Sequence, residues 1–486
     1  MNAQGHFFPE APLVKQGGLF ALVGFLGAIV AFFGPIAGLA EMLVVGVFLF
    51  ILTLQFSTFN GRNWVFWLAF VLPLLLALVL KITGVSLFGA WQALLLLFAL
   101  FGVQEFVNSV RRERLLQWFV AVFLMFLGFA VASTLTGRSH MYSAAYQLFS
   151  DFKPLLALIL GYALCWNLRM EQTLWLVIRW FWLPAILLVF LEWLSPSLYF
   201  KVFPGGVGRL SPDPSGVFPS RALGMFEHPS FLATTSATFF VLSVSRGVME
   251  PTAQRQSWCL AAVYFLLVVF AVQRQELAAC LIAAFLVFLL ARPERFVVRM
   301  MVVTILSMIA TIVFWSVFEK NITREAALWG IGTVGAIEHP RAQIFTSAWQ
   351  LANSYFPLGS GLGTFAGAGA EKFDTSLYED LGFRRYWWFG REDFLMDTYW
   401  PNSIAESGFF GAISLLLSYL LLMLYALQRS LKSLPSLRHY WACAAALMVY
   451  MLLLSISSPA FQDLRLFIVP ALLFGIATRA SQRSQS

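Results

Sequence analysis

Apolar runs of about 17 to 22 residues recur along most of the chain, each as long as a helix needs to cross about 30 Å of hydrocarbon. Fourteen lie near residues 17–34, 36–54, 64–80, 85–104, 116–135, 153–167, 174–195, 230–245, 257–273, 276–291, 299–318, 404–427, 440–456 and 464–480. The pattern predicts an all-α integral membrane protein with about fourteen transmembrane helices. Two polar intervals are much longer than a turn. They divide the chain into N-terminal transmembrane helices over 1–195, a first large loop over 196–229, central helices over 230–318, a large loop containing short helices over 319–401, and C-terminal helices over 402–486. The first run is followed closely by the second, with no small-residue cleavage site between them, so it reads as a retained span.

Composition agrees with the pattern: 60% of residues are hydrophobic, 12% are charged, and the mean hydropathy is +0.78. The distribution of Lys and Arg sets the orientation. With both termini cytoplasmic, the inner segments hold Lys15, Arg62, Arg111, Arg112, Arg114, Arg169, Arg246, Arg255, Arg292, Arg295, Arg299, Arg429, Lys432, Arg438, Arg479 and Arg483. The short outer loops hold only Lys81, Arg138, Lys153, Arg274 and Arg465. The net charge of +8 is therefore a topology signal, and nothing in it calls for nucleic acid. Cys165, Cys259, Cys280 and Cys443 all fall inside runs, without disulfide or zinc spacing, and read as packing residues.

In this topology both long loops face outward. The first is rich in Pro and Gly and carries Arg209, Arg221, Glu227 and His228, which predicts an ordered irregular loop. The second has seven cations against ten anions, a net of about −3. Within it, RAQIFTSAWQLA at 341–352 predicts an amphipathic helix with Ile344, Phe345, Ala348 and Trp349 near one side. GSGLGTFAGAGA at 359–370 has the glycines of a phosphate cradle but not the Lys-Ser/Thr of a P-loop, and reads first as a tight turn. Glu41, Glu192, Arg274 and Glu276 stand at the outer ends of runs, where snorkelling to the interface competes with function. The turn holding Arg274 is short enough to keep that side chain at the bilayer surface, which favours function there. His228 and His339 lie in the polar region without metal-ligand spacing, and no Walker, Gly-x-Ser-x-Gly or zincin motif occurs. Neither a metal nor a cofactor is expected.

Four stretches between residues 209 and 411 resemble the O-antigen ligase and polysaccharide polymerase family of bacterial envelope proteins. They are RALGMFEHPSFLA at 221–233, the QRQ turn at 273–275, RAQIFTSAWQLANSYFPLGSGLGTF at 341–365 and PNSIAESGFFG at 401–411. The resemblance implies a GT-C-like glycosyltransferase of the bacterial inner membrane. It would take undecaprenyl-diphosphate-linked glycans as donor and acceptor at the periplasmic face and work beside a chain-length regulator and a flippase of the same pathway. Fourteen spans look more like a polymerase joining repeat units than a ligase transferring polymer to lipid A core. Ligases of the family carry His-Asn where this chain has Pro401 and Asn402, so the expected His is missing.

The resemblance assigns Arg274 and Arg341 to the diphosphate, with Arg221 and then Arg209 as further candidates. His228, His339, Asn402 and Glu406 join the substrate-binding set, and Asp397 is the candidate general base, with His339 as an alternative. Arginine suits this chemistry because it presents paired donors to phosphate as charge develops on the leaving group. LGFRRYWWFGRED at 381–393 offers aromatic faces for sugars, or equally an interfacial belt. A lipid-linked glycan flippase is the competing reading. It predicts internal repeats and polar groups at mid-membrane, whereas the sequence concentrates its polarity in two outer loops.

Overall fold

The computed structural model describes residues 59–164, 168–204, 218–291, 339–390 and 398–483, with a few isolated positions at 297–308 and 395–396. The runs at 17–34 and 36–54, and most of the run at 299–318, lie outside the described residues, as does Cys165. Within them the fold is all-α. The helices are α1 (Phe59–Phe70), α2 (Leu72–Thr83), α3 (Phe88–Ala99), α4 (Val103–Arg112), α5 (Arg114–Thr136), α6 (Met141–Ala163), α7 (Leu168–Trp180), α8 (Trp182–Leu194), α9 (Pro196–Val202), α10 (Pro229–Met249), α11 (Gln254–Phe270), α12 (Arg274–Leu290), α13 (Pro340–Ser354), α14 (Ala368–Phe373), α15 (Ser376–Asp380), α16 (Trp400–Lys432), α17 (Pro435–Leu454) and α18 (Leu464–Arg483). Among the described residues seven helical segments are long and apolar enough to cross a membrane: Phe88–Arg112, Arg114–Thr136, Met170–Leu194, Pro229–Met249, Pro251–Phe270, Trp400–Lys432 and Leu437–Leu454. This is a membrane-embedded helical protein.

The helix starts follow from local chemistry. Proline occupies the first turn of α10, α13, α16 and α17, where its missing N–H costs nothing. His228 Nδ1 accepts from the Ser230 N–H at 3.2 Å and so caps α10. Packing then sorts the helices: α5 lies along α16, α6 along α18, α10 against α11 and α12, and α12 against α17. Gly161 of α6 and Gly475 of α18 meet backbone to backbone, the close approach that small residues permit between helices in a membrane.

The connections at 84–87, 137–140, 271–273 and 455–463 gather at one end of the bundle with the described residues 195–204, 218–228, 339–390 and 398–399. Hydrogen bonds and ion pairs knit these connections together. Lys81 Nζ donates to the Phe226 carbonyl at 2.8 Å, Trp400 Nε1 to Ser455 Oγ at 3.0 Å, and the Arg138 N–H to the Ser360 carbonyl at 2.8 Å. The opposite end carries Arg111, Arg112, Arg114, Arg246, Arg429 and Arg438, where Arg246 pairs with Glu250 at 2.9 Å and Arg429 with Glu113 at 3.4 Å.

Residues 339–390 of the large loop form a cap with a small core of its own, in which Ile344, Ala348, Leu351, Phe365, Tyr378, Phe383 and Trp388 pack together. This corrects two expectations. In α13 the buried side is Ile344, Ala348, Leu351 and Ala352, whereas Trp349 is 55% exposed and lies off that face. In the aromatic stretch Phe383 and Trp388 are core residues unavailable to sugars, Arg384 pairs with Glu379 at 2.6 Å, and Trp387 alone of the two tryptophans reaches solvent, at 60% exposure. The run read from 153 also begins earlier, since α6 starts at Met141 and buries Gln147, Asp151 and Lys153. Polarity is thus not confined to the loops.

Candidate functional site

The connection between α11 and α12 is the tightest at this end. It places Val272 at φ 51, a left-handed conformation that a β-branched residue adopts only against resistance. Such strain costs about 1–3 kcal/mol and gathers at functional sites. Here it sets half-buried Arg274 as the first residue of α12, with Glu276 buried in the same turn. The Glu276 carboxyl is hydrogen bonded by the Ser230 side chain and interacts electrostatically with Arg341 and Arg221. Ser230 comes from the first turn of α10, Arg221 from the segment before it, and Arg341 from the first turn of α13. The structure therefore brings Arg221 and Arg341, 120 positions apart in sequence (341 − 221), to the turn that carries Arg274. His339 is half-buried just before Pro340 and Arg341.

The segment carrying Arg221 is irregular, so its backbone groups need partners from elsewhere. Glu192 Oε2, at the end of α8, accepts the Leu223 N–H at 2.9 Å and the Gly224 N–H at 3.0 Å, while Oε1 receives Ser220 Oγ at 3.5 Å. Tyr199 Oη donates to the Gly224 carbonyl at 2.6 Å, Lys81 to the Phe226 carbonyl, and the Ala222 N–H to the Phe270 carbonyl at 3.0 Å. Lys81 and Glu192 are fully buried and interact electrostatically. Four residues from four other elements thus hold 220–226 in one conformation and fix the base of Arg221. Sequence reasoning noticed Glu192 but missed Lys81 and Tyr199, whose signal was a single polar residue near the end of an apolar stretch.

The Gly-rich run turns out to be scaffold. The N–H groups of Gly359, Ser360, Gly361, Leu362, Phe365 and Gly369 donate respectively to Ser133 Oγ, the Ala405 carbonyl, the Glu406 carbonyl, Thr134 Oγ1, Glu406 Oε1 and Gln147 Oε1. Six of the run's donors are thus committed to the protein rather than turned to a phosphate, which favours the tight-turn reading. Asn402 and Glu406 are buried and face this run: Asn402 Nδ2 donates to the Phe365 carbonyl at 3.0 Å, and Glu406 accepts from the Phe365 N–H at 3.0 Å. Both were expected among substrate-binding residues, and the structure places them beneath the cap as its anchors.

A second polar layer lies deeper. Asp151 Oδ1 accepts from Gln462 Nε2 at 2.6 Å and from Gln147 Nε2 at 3.1 Å, and both carboxamides also reach Asn402 Oδ1. Beside it Arg465 grips Asp463 through Nε at 3.0 Å and Nη2 at 2.6 Å and bridges to Glu227. Burial raises the Asp463 carboxyl, but the charge and hydrogen bonds of Arg465 outweigh it and hold the group below the usual carboxylate range. Sequence reasoning missed this layer because its residues come from three separate helices and two connections. Of the remaining expected residues, His228 is exposed and caps α10, while Arg209 and Asp397 lie outside the described residues.

No protein-family model matches the chain, and no curated protein does either.

Proposed function

We propose that this chain is a glycosyltransferase of the bacterial inner membrane. In this reading it joins undecaprenyl-diphosphate-linked oligosaccharide units into an O-antigen, capsular or exopolysaccharide at the periplasmic face, within a bundle of fourteen spans whose termini are cytoplasmic. The carrying observation is the meeting of Arg221 and Arg341 at Glu276, in the turn that begins with Arg274. Three guanidinium groups drawn from separate elements to the rim of a membrane bundle suit a diphosphate held at the bilayer surface by its lipid.

The chemistry follows from those charges. The acceptor hydroxyl attacks the anomeric carbon, the bond from that carbon to the diphosphate oxygen breaks, and charge grows on the departing phosphate. Fixed guanidinium groups stabilise that charge without reorganising, and removing one such donor costs about two to three orders of magnitude in rate. The polymerase reading is supported over the ligase reading by Pro401, which stands where the ligases carry His. The position where ligases present His-Asn is here Pro401 and Asn402, and Asn402 is buried against the cap backbone.

The test is an assay with purified protein and a lipid-diphosphate oligosaccharide. Lengthening of the lipid-linked glycan supports the polymerase. Transfer to lipid A core turns the assignment to a ligase. Movement of the donor between leaflets without any new glycosidic bond turns it to a flippase, for which buried Asp151 and Lys153 would be the groups of interest.

A further inference from the structure

We infer that Glu276 is the group that accepts the proton of the attacking hydroxyl, an inference that rests on the transfer reaction proposed above. Four observations on the carboxylates at this end of the bundle lead to it.

Glu276 is 5% exposed and sits among the arginines of the site, interacting with Arg341 and Arg221 two residues after Arg274. Among the described residues, the other carboxylates beneath this surface are held by hydrogen bonds elsewhere. Glu192 holds the backbone of Leu223 and Gly224, Glu406 holds Phe365, Asp151 is held by Gln147 and Gln462, and Asp463 is gripped by Arg465. Glu276 is also oriented from one side by the Ser230 side chain, which leaves it aimed while its electrostatic partners change. Finally, Arg221 and Arg341 act on Glu276, and Arg274 begins the same helix two residues earlier, so the guanidinium groups a diphosphate diester would draw on lie beside this carboxylate. When such a donor docks, its phosphates take over the guanidinium groups, and the carboxylate is released toward the acceptor.

The step balances. The acceptor O–H bond breaks and its proton passes to a Glu276 carboxylate oxygen. The freed electron pair forms the new bond to the anomeric carbon. The bond from that carbon to the diphosphate breaks, and its electrons leave on a phosphate oxygen beside Arg221, Arg274 and Arg341. The proton then returns to solvent as the products separate.

The test uses purified full-length protein in lipid nanodiscs and a lipid-diphosphate oligosaccharide, with donor binding and glycan transfer measured separately. Glu276→Gln, which preserves shape and hydrogen bonding, is expected to bind donor with wild-type affinity while transfer falls about 100- to 10,000-fold, the usual worth of a general base. Added formate is expected to restore part of the rate of Glu276→Ala, but none of that of Arg341→Ala, whose defect is donor binding. The pH–rate profile should lose its acidic limb in Glu276→Gln; the ionisable groups facing Glu276 from neighbouring elements are Arg221, Arg341 and Tyr450, none of which supplies that limb. Glu276→Gln that transfers at the wild-type rate overturns the assignment. So does Glu276→Gln that loses donor binding together with transfer, since the carboxylate would then only arrange the arginines. If wild-type protein neither binds nor transfers the donor, the glycosyltransferase reading itself fails, an outcome distinct from undiminished transfer in the variant.

Discussion

Glu192→Ala is the sharpest test of how this site is built, because it removes the acceptor that holds Arg221's segment without touching any arginine. The carboxylate receives the N–H groups of Leu223 and Gly224 and the Ser220 hydroxyl, and it is the first electrostatic partner of fully buried Lys81. Alanine strands two buried N–H groups, each at about 1–3 kcal/mol. It also leaves a buried ammonium with only Glu227 to oppose its charge, and removing one member of a buried charged pair costs about 3–5 kcal/mol. These are overlapping accounts of one loss, so about 3–5 kcal/mol is the expected total, against a native stability on the order of 5–15 kcal/mol. Glu192→Gln keeps an acceptor oxygen and loses only the charge, at about 1–2 kcal/mol, the gap between charged and neutral hydrogen bonds.

The assay is thermal unfolding of the detergent-solubilised protein, read by the fraction remaining monodisperse, alongside binding of the lipid-diphosphate donor. Melting temperature should fall in the order wild type, Gln, Ala, by several degrees at the last step. Donor binding should weaken in the same order as 220–226 loosens and Arg221 loses its base. Glu192→Ala with wild-type melting and wild-type donor binding would refute the clamp.

Other predictions concern separate parts of the molecule. Arg341→Ala and Arg274→Ala should each lower glycan transfer by about 100- to 1,000-fold while size-exclusion profiles stay monodisperse. Asp463, held below the usual carboxylate range, contributes stability that is complete above its unfolded value of about 3.9 and is lost as pH falls through the folded one. Melting curves across acidic pH should therefore be steeper for wild type than for Asp463→Asn. Gly475→Leu should abolish folded yield, because even a Cβ there runs into the Gly161 backbone of α6. A single cysteine at exposed Trp387, in a background without native cysteines, should react with a membrane-impermeant maleimide from the periplasmic side. Labelling only after lysis would invert the proposed topology.

Periodicity carried most of the fold. Every predicted run within the described residues falls on a helix, because about twenty apolar residues in succession have few stable fates other than a spanning or core helix. Run length did not fix the polar ends. α6 begins at Met141, yet hydropathy placed its start near 153 because Gln147, Asp151 and Lys153 break the apolar signal. Asp151 and Gln147 are tolerated in the bundle because Gln462 and Asn402, far away in sequence, pair with them, and Lys153 because Asp463 and Asp151 oppose its charge. The helix at 341–352 was legible, with Ile344 and Ala348 on its buried face, but Trp349 was misplaced for the same reason. Which face of a short helix is buried depends on what lies beneath it, and in α13 that is the cap core around Phe365 and Tyr378.

The sequence by itself determined an all-α membrane chain and the stretches that hold Arg221, Arg274 and Arg341. Those properties are local, set by hydropathy, proline and glycine placement, and motif spacing. Only the tertiary structure decided that Arg221 and Arg341 converge on Glu276, that Lys81, Glu192 and Tyr199 hold the segment beneath one of them, and that the Gly-rich run is scaffold and Asn402 and Glu406 its anchors. The reason is that buried polar groups must be paired, and in a bundle of long helices their partners arrive from helix ends that are distant in sequence and adjacent in space.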